Sequence, residues 1–269
     1  MIIPQWPAPL NVKALATERE LQPANLLLPS LQGVSLSPYN SLNLGDHVSD
    51  NPAHVGANRQ QLLNYASGCD DIRWLQQIHG IECPDASSIS NGHAADASFT
   101  QTLGLACAVM TADCLPVLFC DLQGRQVAAA HAGWKGLAQG VLPATLANFS
   151  DNNIPLNKII AWLGPAISPA AFEVGPEVKQ AFLQFDNGEL WADETCFIAT
   201  DTDRLHANIY RLARLQLEQL GLRGIYGADQ TENFCTYSDV DEQGEARFFS
   251  YRRKAITGRQ ASMIWLDKN

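Results

Sequence analysis

The longest apolar run in the chain, LGLACAVMTADCLPVLFC at residues 103–120, limits the possible folds more than any other sequence feature. A stretch of this length is compatible with a membrane-spanning helix. Asp113 and Pro116 interrupt it, however, and a charged residue followed by a helix breaker disfavours such a helix. We therefore predict two buried strands joined by a bend at residues 111–113, and no membrane contact.

Strand and helix patterns follow one another irregularly along the rest of the chain, which favours an α+β fold over a doubly wound sheet. We predict a single domain over residues 1–269, with mixed β-sheets flanked by helices. The predicted helices cover residues 52–65, 134–149, 176–185 and 203–221. The predicted strands cover residues 71–80, 105–111, 114–121, 126–133 and 158–165, and a final pair lies within 247–266 around a turn at Thr257 and Gly258.

Composition is typical of an ordinary globular protein, with 46% hydrophobic and 17% charged residues. The net charge of −10 and the absence of a basic run argue against non-specific nucleic-acid binding, although a local basic pocket could still bind a small anion. The seven cysteines include no CxxC pair, which disfavours a disulfide framework and a structural zinc ribbon. With no recognisable export signal at the start, we expect a cytoplasmic protein. The oligomeric state stays open.

Three side chains that can bind metals end apolar segments, and each is followed closely by a glycine or proline. They are His79, Cys114 and His131. Two imidazoles and a thiolate form a known catalytic zinc set, whose fourth position stays open for water or substrate. Zinc there could polarise a leaving group or lower the pKa of bound water to about 7. The three lie too far apart in sequence to form a local motif, so a buried cysteine and two core histidines remain the alternative.

A metal-free enzyme could use the same residues. Cys114 would then be a nucleophile and His131 its general base, as in thiol hydrolases. Asp113 could orient that base or bind a substrate hydroxyl. The alternative for Asp113 is a turn residue that caps its own backbone.

Two segments predict an anion site. In HAGWKG, at residues 131–136, backbone N–H groups at a helix start and the charge of Lys135 would attract an anion. The segment SYRRKAITGR, at residues 250–259, supplies Arg252 and Arg259. If it folds beside His131, it forms a basic pocket; otherwise these cations only alternate on a solvated strand.

The sequence resembles the YfiH-like family, also known as laccase-domain or multicopper polyphenol oxidase proteins. Six blocks in one order carry the resemblance, which covers nearly the whole chain. They are SLNLGDHV (41–48), QQIHG (76–80), TADCLPVLF (111–119), AAAHAGWKGL (128–137), LGPAISPAAFEVG (163–175) and FFSYRRKAITGR (248–259).

The resemblance implies a single α+β domain with a metal site, usually assigned to zinc, on His79, Cys114 and His131. It also implies phosphorolysis of adenosine, inosine and methylthioadenosine, with adenosine deamination at the same site. On this hypothesis Asp113 and Asn43 contact the sugar or base, while cationic side chains bind phosphate. Those cations are Lys135, Arg252 and Arg259.

Other labels on the family imply alternatives. One is a Cys/His or metallo-hydrolase that edits cytoplasmic peptidoglycan precursors, and another is a copper-dependent polyphenol oxidase. The oxidase is disfavoured because multicopper chemistry needs many imidazoles. This chain has six histidines, and only His47 could join His79 and His131 at the site. A third possibility is a metal-binding regulatory module without turnover.

Two residues depart from the family pattern. Ser30 stands where an arginine is common, and Lys254 where YRRD is often found. If the missing arginine contacts phosphate or substrate, activity would be weaker or differently selective.

Overall fold

Two mixed β-sheets stack face to face, and helices cover both outer surfaces. The computed structural model describes residues 1–20, 33–184, 193–228 and 234–268. In chain order the strands are β1 (Val12–Ala16), β2 (Asp71–Arg73), β3 (Leu75–Gln76), β4 (His93–Ala94), β5 (Ala97–Thr100), β6 (Leu105–Thr111), β7 (Leu115–Asp121), β8 (Val127–Ala132), β9 (Ile159–Leu163), β10 (Glu173–Val174), β11 (Phe197–Ala199), β12 (Leu205–Ala207), β13 (Gly224–Gly227) and β14 (Gln260–Leu266). The α-helices are α1 (Pro52–Tyr65), α2 (Trp134–Gln139), α3 (Val141–Asp151), α4 (Pro176–Gln184) and α5 (Ile209–Gln219).

Both large sheets combine parallel and antiparallel pairs. The four-stranded sheet has the order β1-β14-β6-β2, and only its β2–β6 pair is parallel. The five-stranded sheet has the order β13-β9-β7-β8-β5, and only its β13–β9 pair is parallel. Smaller sheets join β10, β12 and β11, and β3 with β4. The predicted α+β fold with mixed sheets and flanking helices is confirmed.

Burial on both faces explains why the central strands are apolar without alternation. On β7, Val117 and Phe119 pack into the core beneath α2, α3 and α5, whereas Leu118 and Cys120 pack between the two sheets. On β6, the side chains that do not face this inter-sheet layer pack with Leu62 of α1. Burying each large apolar side chain contributes about 1.5–3 kcal/mol to the free energy of unfolding, so the sheets and the helices stabilise one another.

The bend predicted inside residues 103–120 carries the chain from one sheet to the other. β6 belongs to the four-stranded sheet and β7 to the five-stranded sheet, so residues 112–114 cross between them. Asp113 takes a positive φ of 101° at this crossing, a conformation that is strained for a residue with a Cβ. The two strands and the bend match the prediction, but the change of sheet has no signal in the sequence.

Two helix predictions need correction. The helix predicted over residues 134–149 is two helices, because Gly140 adopts a left-handed φ of 96° that separates α2 from α3. The helix predicted from Asp203 begins only at Ile209. Residues 205–207 pair instead with β10 and β11, and the Asn208 side chain caps α5 by accepting from the Arg211 N–H.

Two strand predictions are also wrong in extent. The strand predicted over residues 71–80 breaks into β2 and β3 and ends at Gln76, three residues before His79. The predicted C-terminal hairpin contains a single strand, β14. The Gln260 side chain accepts a hydrogen bond from the Phe249 N–H and donates one to the Phe249 carbonyl. At Phe249 these two bonds take the place of pairing with a second strand.

The helix at residues 52–65 lies as predicted, with the Asn51 side chain accepting from the Ala53 N–H as its cap. Within the described ranges, no helix is both long and apolar enough to cross a lipid bilayer. Ser30 lies outside the described residues.

Candidate active site

Three predicted ligand residues from distant parts of the chain meet in space. His79 lies in the loop after β3, Cys114 in the bend before β7, and His131 in β8. Their ligand atoms all lie within 4.8 Å of one another, with 3.9 Å between Cys114 Sγ and His79 Nε2. The two imidazole rings are 4.9 Å apart and nearly perpendicular. The structure therefore brings the whole trio together.

Strand register and backbone strain create this meeting. β7 pairs with β8 so that Leu115 faces Ala132 and Pro116 faces His131, which places Cys114 at the same end of the sheet as His131. His79 reaches the site from a loop in which its own φ is +61°. Such a conformation costs of order 1–3 kcal/mol and persists only where surrounding contacts hold it.

Asp96, between β4 and β5, supplies many of those contacts and was not predicted from the sequence. Its buried carboxylate accepts hydrogen bonds from the backbone N–H groups of Ile78, His79 and Gly80 at 2.7–3.0 Å. It also lies 2.8 Å from His131 Nδ1. Burial alone would raise the pKa of Asp96, but these hydrogen bonds and the charge of His131 outweigh it and lower the pKa. The only sequence signal is an acidic residue directly before an apolar strand, in HAADASF.

The site favours a thiolate. Burial opposes ionisation of Cys114, but the charge of His131 and hydrogen bonds to both imidazoles outweigh it and lower the pKa of the thiol to about 6. Burial likewise opposes protonation of His131, but Cys114 and Asp96 raise its pKa to about 9. The cysteine and this histidine therefore stabilise each other's charged forms.

A cavity of about 380 Å³ opens above the trio. Its lining includes the aromatic side chains of Trp134, Phe172 and Tyr251, which sequence reasoning also missed. Apolar and polar residues complete it: His47, Gln77, Met110, Thr111, Ala112, Ile167 and Ile209. Pockets of this size, mostly apolar with a few converging polar groups, are typical of small-molecule sites.

Two of the predicted cations lie in the cavity wall. Arg259 is partly buried, and burial lowers its pKa although the nearby Cys114 and Asp113 raise it. It donates from Nη1 to the carbonyls of Thr257 and Gly258, and no carboxylate among the described residues forms an ion pair with it. Arg252 lies over Phe172 and donates from its side chain to the Ala171 carbonyl.

The other predicted contact residues take different places. Asp113 lines the cavity, and its carboxylate accepts from the Thr236 hydroxyl and from the Arg252 N–H. Asn43 is fully buried outside the cavity lining, where its side-chain oxygen accepts the Arg259 N–H and so supports that segment. Lys135 also lies outside the described lining; it is exposed, with Nζ 5.5 Å from the centroid of the Trp134 ring.

The absence of a side chain at Gly133 makes space for the side chains of His79 and Cys114. A Cβ placed on this glycine would lie 2.9 Å from His79 Cδ2 and 3.1 Å from Cys114 Sγ. Both distances are shorter than ordinary van der Waals contact, so any larger residue here would push the ligands apart. The glycine two residues after His131 therefore leaves space for the side chains of His79 and Cys114.

Comparison with known proteins agrees with this architecture. The sequence model of the family described as multi-copper polyphenol oxidoreductase laccase matches residues 28–267. The protein named purine nucleoside phosphorylase YfiH of Escherichia coli is 46% identical, over 99% of this chain and 98% of that protein. A purine nucleoside phosphorylase of Pseudomonas aeruginosa is 44% identical over the same shares. This chain belongs to the YfiH-like, laccase-domain family.

Solved structures of YfiH-like proteins share the fold. The Neisseria meningitidis protein NMB0706 superposes with a TM-score of 0.85 at 44% identity, covering 99% of this chain and 98% of that one. YlmD from Geobacillus stearothermophilus superposes with a TM-score of 0.81 at 25% identity, covering 96% and 93%.

The donor set of this laccase-domain protein fits one metal ion. Because Asp96 occupies Nδ1 of His131, the other ring nitrogen is left for a metal, an arrangement common among metal-binding histidines. In the part of the chain that the structure describes, the trio is the one group of three or more His, Cys, Asp or Glu side chains close enough to share an ion. That single set does not fit a cluster of several coppers.

Proposed function

We propose that this protein is a zinc-dependent purine nucleoside phosphorylase that acts on adenosine, inosine and methylthioadenosine and also deaminates adenosine. The convergence of His79, Cys114 and His131 beside a cavity with aromatic and cationic walls carries this proposal. The Escherichia coli and Pseudomonas aeruginosa relatives, which are named purine nucleoside phosphorylases, support it. The seven free cysteines favour a reducing cytoplasm as its location.

The residues of the trio are suited to zinc rather than to a hard cation. Imidazole and thiolate are ligands that zinc prefers, and three of them leave one position open. A zinc ion held there would supply Lewis-acid polarisation of a substrate atom. The low pKa of Cys114 means that its thiolate is already present at neutral pH, so zinc would displace a proton from His131 but not from Cys114.

Arg259 and Arg252 would bind the phosphate. Arg259 is partly buried and forms no ion pair with a carboxylate among the described residues, and a phosphate anion between the two arginines would accept charge-assisted hydrogen bonds from both. In phosphorolysis a phosphate oxygen forms a bond to C1′ of the ribose while the bond from C1′ to the base nitrogen breaks. The electron pair leaves with the base, which takes up a proton, so the protein mainly aligns phosphate with sugar and stabilises the departing base.

Aromatic walls would hold the purine. Trp134 and Phe172 are partly buried in the cavity wall, and Tyr251 is more exposed. Their ring faces can stack on a flat heterocycle and contribute roughly 1–3 kcal/mol per stacked base. Each carboxylate oxygen of Asp113 already accepts one hydrogen bond, from the Thr236 hydroxyl or the Arg252 N–H, and a second lone pair would accept from a sugar hydroxyl.

The test is a direct assay of the purified, zinc-loaded protein. Adenosine, inosine and methylthioadenosine are supplied with and without phosphate, and free base, the sugar 1-phosphate (ribose or 5-methylthioribose 1-phosphate) and inosine are separated by chromatography. We expect base release that depends on phosphate, together with slower phosphate-independent conversion of adenosine to inosine. Metal content is measured on the same sample, so that zinc can be told from copper. No sugar 1-phosphate from any of the three nucleosides, with protein carrying one zinc per chain, would refute the phosphorylase proposal.

A thiol hydrolase is the second candidate, because a carboxylate, an imidazole and a thiol stand in series. Asp96 contacts His131 Nδ1, and His131 stabilises the thiolate of Cys114. This order is that of a nucleophile, its base and the group that orients the base. In this candidate Asp96, rather than Asp113, would orient the base His131. An amide in a peptidoglycan precursor is the substrate class for this candidate, and an acyl group on Cys114, detected by intact mass, would support it.

A further inference from the structure

One carboxylate connects two of the three candidate ligands. Asp96 is fully buried, and both of its oxygens are used. Oδ1 lies 2.8 Å from His131 Nδ1 and accepts from the His79 N–H at 2.9 Å. Oδ2 accepts from the N–H groups of Ile78 and Gly80 at 3.0 and 2.7 Å. The Asp96 carbonyl accepts the His131 N–H at 2.7 Å as well.

These contacts act on the two histidines in different ways. For His79 they hold the backbone, whose positive φ of 61° would otherwise relax. For His131 they hold the ring, since an ionised carboxylate at Nδ1 requires the proton to be on that nitrogen. In the neutral ring the other nitrogen then carries no hydrogen, so a metal that displaces the second proton of the charged form binds there.

We propose that Asp96 is a positioning residue that fixes the ring tautomer of His131 and the backbone of His79 together, so that both imidazoles are ready to bind one metal ion beside Cys114. The inference rests on the metal site in the proposed function, but not on the reaction. The negative charge of Asp96 is not sufficient for this role. Both carboxylate oxygens must accept hydrogen bonds in fixed directions, one from His131 and the other from the His79 loop.

Asparagine cannot replace both acceptors. If its NH₂ group takes the place of Oδ2, it faces the N–H groups of Ile78 and Gly80, and the His79 loop loses its support. If the NH₂ group takes the place of Oδ1, it faces His131 Nδ1, which must then accept, and the proton moves to the nitrogen that a metal needs. Either orientation removes one ligand while side-chain size stays the same.

Asp121 offers a matched control elsewhere in the same sheet. It is also fully buried, and its carboxylate accepts from the backbone N–H groups of Gln123, Arg125 and Gln126. Asp121 ends β7, whereas Cys114 precedes its first residue. Asp121→Asn therefore removes the same kind of buried acceptor without contact to the trio.

The experiment compares zinc affinity in the wild type, Asp96→Asn and Asp121→Asn, by competition with a chromophoric chelator and without nucleoside. Thermal unfolding of the metal-free proteins serves as the folding control, and cobalt(II) spectra report the ligand set. We expect the zinc Kd of Asp96→Asn to rise by roughly 10–100-fold, with altered cobalt bands, and that of Asp121→Asn to stay unchanged while its Tm falls. A folded Asp96→Asn with wild-type zinc Kd and cobalt spectrum would overturn the proposal.

A second measurement needs no variant and decides the question if Asp96→Asn does not fold. Long-range ¹H–¹⁵N correlation spectra of zinc-loaded wild type should show His131 protonated at Nδ1 and unprotonated at Nε2. The opposite tautomer, or a wild type that binds no zinc, contradicts the role of Asp96. Weak zinc binding by Asp96→Asn in a protein that releases no ribose 1-phosphate would support this inference and refute only the phosphorylase.

Discussion

The two ends of β7 carry the same two residue types, an aspartate and a cysteine, but these differ in exposure, pKa and hydrogen-bond partners. Asp113 and Cys114 precede the strand, and Cys120 and Asp121 end it. Cys114 is partly exposed and its pKa is lowered to about 6, whereas Cys120 is fully buried and burial raises its pKa. Asp121 accepts hydrogen bonds from its own turn, while Asp113 bonds residues more than 100 positions away.

The difference shows that residue type does not decide function here; the segments that meet at each end do. At the far end the chain turns back directly into β8, so the polar groups of that turn satisfy one another locally. At the near end the chain crosses between two sheets, and distant loops bring His79, Arg252 and Arg259 around the crossing. Polar side chains there converge on a cavity instead of on each other.

Exchanging each cysteine for serine gives the largest expected effect. Cys114→Ser replaces a soft ligand by a poor one, so zinc affinity should fall by more than about 100-fold, and every zinc-dependent activity should be lost with it. Cys120→Ser should keep its zinc but lose about 1–3 kcal/mol of unfolding free energy, because it buries a hydroxyl. Zinc content and circular dichroism are measured on both. If folded Cys114→Ser retains a full equivalent of zinc, Cys114 is not a ligand.

Alkylation of the metal-free protein compares the same two thiols without mutation. A lowered acid pKa means that the thiolate is present above about pH 6 and is lost as the pH falls below it. Cys114 should therefore be roughly nine-tenths ionised at pH 7 and react fast with iodoacetamide, with half its maximal rate near pH 6. Cys120 should stay unmodified throughout.

Peptide mass spectrometry after timed quenching reads each cysteine separately. The charged or titratable groups around Cys114 are His79, His131, Asp113 and Arg259, of which the two imidazoles lower its pKa. A midpoint near pH 9 for Cys114 would mean that they do not stabilise its thiolate. Added zinc should slow the reaction at Cys114, which ties the reactive thiol to the metal site.

Gly133→Ala tests whether the trio needs the space around it as well as its own side chains. The new Cβ would lie 2.9 Å from His79 Cδ2 and 3.1 Å from Cys114 Sγ, so one ligand must move. We expect zinc to bind roughly 10–100-fold more weakly, comparable to losing an outer contact of a ligand. Gly56→Ala in α1 is the control, since nothing lies within 4 Å of its Cβ. It should add about 0.5–1 kcal/mol of stability. Unchanged zinc Kd in Gly133→Ala would show that the ligands have room to spare.

The sequence predicted much of the fold because local signals there were strong. Asn51 and Pro52 marked the start of α1 correctly, and the apolar runs marked β6, β7 and β9. The error at Leu205 has a tertiary cause: its apolar spacing fits a helix, but pairing with β10 and β11 makes it a strand. No local pattern contains that information.

The sequence predicted which three residues are candidate ligands, but not the residue that supports them. Each of the three candidate ligands ended an apolar segment, and the family blocks pointed to the same residues. Asp96 had no such signal, because its importance comes from contacts with Gly80 and His131, 16 and 35 positions away. Lys135 had the right charge at the right place in sequence, yet it lies outside the described cavity lining, with its ammonium near Trp134.

Neutralising one cation at a time gives the smallest effect and extends the comparison from the ends of β7 to the cavity wall. Arg259 lies partly buried in the cavity wall near Asp113 and Cys114, whereas Lys135 is exposed outside the described lining. A charge-assisted hydrogen bond to phosphate contributes about 1.5 kcal/mol at least, so Arg259→Met should raise the KM for phosphate roughly tenfold. Lys135→Met should leave it unchanged, because an exposed cation is screened by solvent.

Initial rates at varied phosphate and saturating inosine give the KM of both variants, with zinc content as the check that the metal site is intact. Equal KM values for wild type and Arg259→Met would remove Arg259 from the phosphate site, and a raised KM in Lys135→Met would restore Lys135 to it.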